Sequence, residues 1–187
     1  MEKTPTGNAI GILEFSQVAR GIWAADTMVK TAAVELKMAQ TICPGKFLVL
    51  IGGAVGAVES ALTAGKALAA EWVVDDLFLA NVHPAVFPAL YATTQTVPDG
   101  AMGIVETFSA AAAVQAADAA VKAAGVDLLE IRLARGLGGR SFVIVAGGIS
   151  AVQVAISHAA SHAKEKGFLV DALAIPAPHV DVWQSIV

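Results

Sequence analysis

The chain has 187 residues, of which 56% are hydrophobic and 15% are charged, and its formal net charge is −4. Such an apolar composition can bury a substantial core and argues against intrinsic disorder. Lys and Arg residues form no block, which disfavours nucleic acid as a partner because phosphate binding needs clustered positive charge. The single cysteine excludes an internal disulfide and a thiolate-rich metal site made by one chain alone.

The first half of the chain alternates between strand-like and helix-like patterns. The predicted order is strand, helix, strand, strand, helix, strand, over residues 9–15, 16–31, 34–39, 47–51, 54–70 and 72–79. Ser16 is predicted as the N-cap of the first helix. The apolar residues of that helix recur at helical spacing, at Val18, Ile22, Ala25, Met28 and Val29. This order is typical of a ferredoxin-like unit, in which two helices cover one face of an antiparallel sheet.

The longest apolar run covers residues 47–58 and is interrupted by Gly52, Gly53 and Gly56. A helix that spans a bilayer needs about 20 apolar residues, so this run predicts a buried strand that turns into a helix. We therefore expect no membrane partner. The N-terminal string MEKTPTGN lacks the apolar core of a secretory signal, which indicates the cytosol.

The second half of the chain repeats the first. The string AIGILE at 9–14 returns as AMGIVE at 101–106, an offset of 101 − 9 = 92. The offset grows to 139 − 45 = 94 at Gly139 and to 179 − 83 = 96 at His179, the counterparts of Gly45 and His83. The second set of elements is predicted over residues 102–107, 110–124, 128–133, 142–146, 150–164 and 168–175.

The fold class is therefore α/β of the α+β kind, with two tandem ferredoxin-like β-α-β-β-α-β domains. Each domain is expected to be an antiparallel sheet with its helices on one face. The predicted domains are residues 1–92 and 101–187, joined by a linker at 93–100 that contains Pro98 and Gly100.

Several separated motifs occur in both halves. They are an A-x-G-x-x-E strand, an A-D-x-x-x-K helix, and a glycine loop before a valine-rich strand. In this combination the chain resembles the bacterial microcompartment shell domain, and the likeness covers almost its full length. It is similar above all to the trimeric T-type shell proteins of propanediol-utilising microcompartments, through TICPGKF at 41–47 and LANVHP at 79–84. The resemblance implies a homotrimer that mimics the hexamers of single-domain shell proteins.

Cys43 lies in a Pro/Gly turn between two predicted strands, where a thiol is reachable. Taken alone, this position is also compatible with an inert turn residue. In the T-type proteins the loop cysteine holds an iron–sulfur cluster on the trimer axis. The resemblance thus implies one [4Fe–4S] cluster per trimer, with Cys43 of each chain as a ligand and one iron left open. The residues implied to line the pore are Thr41, Ile42, Cys43, Pro44, Gly45, Leu137, Gly138 and Gly139.

The resemblance also assigns residues to the edges at which shell tiles meet. Lys30 and Lys122 occupy equivalent places late on the first helix of each repeat, where a solvated helix lysine is the alternative. Asn81, His83 and His179 lie in the strings that correspond to the P-R-P-H motif of shell domains. These strings read ANVH at 80–83 and PAPH at 176–179, so the arginine of the motif is missing from both repeats.

Other candidate sites are weaker. His158 and His162 have the i, i+4 spacing of a two-histidine metal site, but no third ligand is evident and a surface pair is the better interpretation. The glycines of 136–139 precede a strand rather than a helix, which indicates a turn rather than a phosphate loop. Glu14 and Glu106 occupy equivalent strand positions, which favours a structural role.

The predicted function is a structural shell protein, located in the shell of a microcompartment within the cytoplasm, whose pore serves electron transfer or gating. The expected partners are other shell proteins and an encapsulated or cytosolic redox protein, and no enzymatic activity is expected. One alternative is a cytosolic trimeric sensor of ferredoxin-like fold that binds a small molecule. A further alternative is an enzyme with Cys43 as nucleophile, although the sequence places none of the four histidines near it.

Overall fold

The structure is a computed structural model that describes residues 7–186. It divides into two units, of which the first ends at Val82 and the second begins at His83. The first unit consists of β1 (Ala9–Phe15), α1 (Val18–Thr31), β2 (Glu35–Ile42), β3 (Lys46–Gly53), α2 (Val55–Ala69) and β4 (Val73–Leu79). The second unit consists of α3 (Val86–Leu90), β5 (Ala101–Thr107), α4 (Ala110–Ala123), β6 (Asp127–Arg132), β7 (Ser141–Gly147), α5 (Ile149–Glu165), β8 (Leu169–Ile175) and α6 (Val180–Ile186).

Each unit contains one four-stranded antiparallel sheet. The strand order is β2-β3-β1-β4 in the first unit and β6-β7-β5-β8 in the second. Equivalent strands pair in the same register, since Ala9 lies opposite Gly53 and Ala101 lies opposite Gly147. This order follows from two β-α-β crossovers that interleave their strands. The prediction of two ferredoxin-like β-α-β-β-α-β domains is confirmed.

The core of the first unit lies between its sheet and helices α1 and α2. The central strands β1 and β3 are buried along almost their whole length, which explains their continuous apolar sequences. The glycine of the A-x-G-x-x-E motif lets α2 approach the sheet, because a Cβ at Gly11 would lie 2.7 Å from Leu62 Cγ. In the second unit a Cβ at Gly103 would lie 2.7 Å from Ile156 Cγ2 of α5. The motif therefore marks a close helix–sheet contact in both repeats.

The second sheet is also covered on its other face. Alternation along β5 directs Met102 away from α5, because Gly103 faces that helix. Trp183 and Ile186 of α6 pack against the buried cluster that contains Met102 and Ile144. Neither α3 nor α6 was predicted, because a helix of five or seven residues is too short to show a helical period.

Two expectations differ from the observed elements. Helix α1 begins at Val18 with Gln17 at the N-cap position, so the prediction of Ser16 as N-cap was wrong. The Ser16 hydroxyl instead donates a hydrogen bond to the carbonyl oxygen of Trp72, 56 residues away. Residues 83–92, predicted to belong to the first domain, group with the second unit, where α3 contacts β6 and α4. Within residues 7–186, no helix combines the length and hydrophobicity that crossing a bilayer requires.

Candidate functional site: the strand-connecting loops and the repeat surfaces

Cys43 lies in the short loop that reverses the chain between β2 and β3. The pair Ile42 and Lys46 closes this hairpin, and Gly45 adopts a φ of 73° that favours glycine. The Cys43 thiol is free and its residue is half-buried. Of its predicted pore-lining neighbours, Thr41, Pro44 and Gly45 are exposed, whereas the side chain of Ile42 is buried.

The corresponding loop of the second repeat is longer and carries no thiol. It connects β6 to β7 and contains Gly136, Gly138 and Gly139, all with positive φ. A backbone hydrogen bond of 3.1 Å from Arg140 N to Leu137 O closes its last turn. The hydroxyl of buried Ser141 accepts a hydrogen bond from Ala134 N and so anchors the start of the loop. Of the predicted pore-lining residues in this loop, Gly138 is exposed, Leu137 is half-buried and Gly139 is buried.

Each loop is followed by a cation that is paired with a glutamate on the neighbouring strand. Lys46 Nζ lies 2.7 Å from Glu14 Oε1, and the Glu14 side chain is fully buried. Arg140 Nη1 lies 3.2 Å from Glu106 Oε1 in a more exposed pair. The structural role predicted for Glu14 and Glu106 thus takes the form of an ion pair at the base of each loop. Lys46 and Arg140 therefore each have a glutamate as charge partner.

The described residues of one chain do not form a metal centre. Among residues 7–186, no group of three or more His, Cys, Asp or Glu side chains could hold a metal ion. His158 and His162 lie on the exposed side of α5. Cys43 is the only cysteine of the chain.

The two predicted edge lysines have different surroundings. Lys30 Nζ forms an exposed i, i+4 ion pair of 2.7 Å with Asp26. Lys122 Nζ lies 2.6 Å from Asp118, whose carboxylate is buried and also accepts a hydrogen bond from His83 N. Only the Lys122–Asp118 pair is therefore linked by a hydrogen bond to the segment that follows β4.

The predicted edge histidines occupy equivalent turns. The Nδ1 atom of His83 accepts a hydrogen bond from Ala85 N at 3.3 Å, and that of His179 accepts one from Asp181 N at 3.2 Å. The imidazole of His179 is largely exposed, whereas His83 is half-buried. Asn81 precedes the first of these turns and is exposed.

The two repeats differ in which equivalent surfaces they bury. On α1, Ile22 is 54% exposed, whereas its counterpart Val114 on α4 is 0% exposed. On the edge strands, Leu36 of β2 is 42% exposed, whereas Leu128 of β6 is 4% exposed. We call the exposed surface of the first unit, formed by Ile22, Trp23, Val29 and Leu36, the α1–β2 surface.

Helical periodicity did not predict the α1–β2 surface. Helical spacing groups Ile22 and Val29 with Ala25 and Met28 on α1, and only the last two are buried. The apolar residues of α1 cover a wider arc than the side that faces the sheet, and Ile22 and Val29 lie outside that side. The width of this arc could have separated them from the buried residues.

Two tandem units of this topology, with short β2–β3 and β6–β7 loops, define a double-domain protein of the microcompartment shell class. The BMC domain model matches residues 9–82 and 101–178. The chain therefore belongs to the BMC-domain family of bacterial microcompartment shell proteins, which confirms the resemblance seen in its motifs. Its predicted location in the shell of a microcompartment is confirmed with it.

Two of the similar proteins match both repeats, and a third matches a single repeat. The chain is 46% identical to the bacterial microcompartment shell protein PduT of Citrobacter freundii over 96% of its own length and 97% of that protein. A crystal structure of a microcompartment protein from Desulfitobacterium hafniense superposes with a TM-score of 0.86 at 46% identity, covering 96% of this chain and 99% of that one. The shell protein PduA of Citrobacter freundii is 41% identical over 83 residues, which are 44% of this chain and 86% of PduA. PduA thus corresponds to about one repeat.

Proposed function

We propose that three copies of the chain form a closed head-to-tail ring, in which six repeats surround a central pore. The support is the unequal burial of the two repeats, because surfaces that are covered on the second unit are open on the first. A heterologous interface between such surfaces generates a ring when its rotation closes. The number three follows from the resemblance to trimeric T-type shell proteins.

The segments that follow each repeat indicate which part of the next copy covers the α1–β2 surface. Helix α3 follows the first repeat and contacts β6 and α4 of the second unit. Helix α6 is its counterpart after the second repeat, yet Val182 is 39% exposed where its counterpart Val86 is fully buried. In the proposed ring, α6 of one copy approaches β2 and α1 of the next.

We further propose that the loops after β2 and β6 line the pore, and that Cys43 of each copy is a ligand to one [4Fe–4S] cluster. The residues fit this group in two respects. The thiol lies in a strand-connecting turn rather than in the core, and thiolates are the ligands that iron–sulfur clusters prefer. Only one thiol per chain is present, so three copies supply three ligands and leave one iron open.

When bound, such a cluster supplies one-electron redox chemistry at the pore. The chain's own residues hold the loop in place, since the Glu14–Lys46 ion pair fixes the start of β3 next to the turn. In this proposal the pore serves electron transfer or gating across the shell, with an encapsulated or cytosolic redox protein as partner. The chain has a structural rather than an enzymatic role.

Contacts with other shell proteins are proposed for the predicted edge residues. Lys30 and the imidazole of His179 are exposed and available for such contacts. Lys122, Asn81 and His83 belong to the same proposed edge. Without the arginine of the P-R-P-H motif, the edge contact relies on these side chains, which is consistent with a tile inserted among other shell proteins.

The deciding experiment is anaerobic purification followed by iron and sulfide analysis and EPR, on the wild type and on Cys43→Ser. We expect about four irons per trimer in the wild type and none in the variant. Light scattering on the same samples should give about 57 kDa, which is three times the chain mass of 19.0 kDa, for both proteins. A 57 kDa particle without iron after anaerobic reconstitution would overturn the proposal of a cluster and leave the proposal of a ring standing.

A further inference from the structure

A cavity of about 210 Å³ lies in the second unit, apart from the loops after β2 and β6. It is lined by Ala92, Thr94, Leu129, Glu130, Arg132 and Ile186. Its volume exceeds what one water molecule needs. The lining combines three apolar side chains with a carboxylate, a hydroxyl and a guanidinium, which is typical of a small-molecule site.

Two buried polar atoms of this lining have no hydrogen-bond partner within residues 7–186. They are Thr94 Oγ1 and Glu130 Oε2. The Glu130 side chain is only 13% exposed. Buried polar atoms are almost always hydrogen-bonded, and leaving them unpaired is unfavourable. Two such atoms at one cavity therefore indicate a site for a molecule that can hydrogen-bond to both.

The charge of the cavity is already balanced. Arg132 Nε donates a hydrogen bond of 2.7 Å to Glu130 Oε1, and its guanidinium lies 5.1 Å from the centre of the Phe142 ring. This arrangement fixes the carboxylate and neutralises its charge, so a further cation gains little there. Glu130 Oε2 remains as an acceptor, and the Thr94 hydroxyl can donate or accept.

We propose that this cavity binds a small neutral polyol. One hydroxyl group of the ligand donates to Glu130 Oε2, and a second pairs with the hydroxyl of Thr94. The short carbon chain contacts Leu129 and Ile186. The proposal does not depend on the ring or on the cluster, because every residue that lines the cavity belongs to the second unit.

The test uses the full chain in its native assembly, with glycerol as the probe and methyl NMR as the readout. We expect the methyl signals of Leu129 and Ile186 to shift saturably with glycerol, while Ile12 of the first unit does not respond. Thr94→Val preserves the shape of the side chain and removes its hydroxyl, so it should raise the Kd of glycerol at least about fivefold. Exposed Thr96 provides the matched control, and Thr96→Val should leave the Kd unchanged.

The stability of the free protein gives a second readout. The Thr94 hydroxyl has no partner among residues 7–186, so Thr94→Val should not lower the urea midpoint. Shifts that grow linearly with glycerol, or the same Kd in Thr94→Val, would overturn the proposal. Equal affinity for propan-1-ol, which has one hydroxyl group, would also overturn it.

Discussion

Lys46 Nζ lies 2.7 Å from Glu14 Oε1, and this ion pair joins the start of β3 to the end of β1 three residues after Cys43. The Glu14 carboxylate is fully buried and the lysine is 18% exposed. The pair therefore differs from the surface pair of Lys30 and Asp26, in which both side chains are more than half exposed.

Lys46→Met tests the contribution of this buried pair. Removing the lysine takes away the cation that lies 2.7 Å from a fully buried carboxylate, and we expect the free energy of unfolding to fall by about 3 kcal/mol. Lys30→Met is the matched control and should lower it by about 1 kcal/mol or less. Urea unfolding at pH 7 and one fixed protein concentration measures both changes. Equal losses in the two variants would show that burial of Glu14 carries no special cost.

The contact between Gly21 and Phe47 makes the first repeat sensitive to one added methyl group. A Cβ at position 21 would lie 2.5 Å from Phe47 Cδ1 and 2.7 Å from Phe47 Cβ. Overpacking of this kind costs about 1–3 kcal/mol and outweighs the better helix propensity of alanine. The second repeat carries Ala113 and Ser141 at these two positions, so the larger helix residue occurs there with the smaller strand residue.

A double-mutant cycle measures this coupling. Gly21→Ala should lower the free energy of unfolding by about 1–3 kcal/mol, and Phe47→Ala by about 3–5 kcal/mol. Because Phe47→Ala removes the ring atoms of the clash and keeps only the Cβ contact, the double variant should lose about 1 kcal/mol less than the sum of the two. Gly56→Ala is the control, since a Cβ there meets nothing within 4 Å. Strict additivity in urea unfolding would contradict the contact.

Helix α4 offers a test of capping, since its N-cap Ser109 is buried and accepts a hydrogen bond of 3.1 Å from Ala112 N. Gln17 holds the equivalent position of α1 and makes no side-chain cap there within the described part of the chain. Ser109→Ala should lower the free energy of unfolding by about 1–2 kcal/mol. Gln17→Ala should leave it nearly unchanged in the same denaturation assay. A similar small effect for both would mean that the serine does not stabilise the helix.

The sequence predicted the repeated fold because its strand-like and helix-like patterns and its motifs recur at nearly constant offsets. It also placed Cys43 in a turn, as the structure does. It could not predict the cap of α1, because Ser16 bonds to Trp72, which is distant along the chain. Nor could it separate Ile22 from the core residues Ala25 and Met28. Helical periodicity shows that a position is apolar, but it does not show whether the residue is buried by its own chain.

The unequal burial of the repeats gives the sharpest test of the ring. Ile22 is 54% exposed on α1, so Ile22→Glu should not disturb the fold of the first unit. In the proposed ring this position is covered by the next copy, and a buried unpaired carboxylate at an interface is strongly unfavourable. We therefore expect the variant to run as a folded monomer of 19 kDa rather than a trimer.

Val97 provides the matched control, since it is 83% exposed and lies outside the α1–β2 surface. Val97→Glu should keep the mass of the wild type in light scattering, and both variants should keep its far-UV circular dichroism. Dissociation by Ile22→Glu alone would support the α1–β2 surface as the interface between copies. If Ile22→Glu keeps the trimer mass, the ring has to close through another surface. A glutamate buried without a partner on α1 would be too unfavourable for the proposed interface to form.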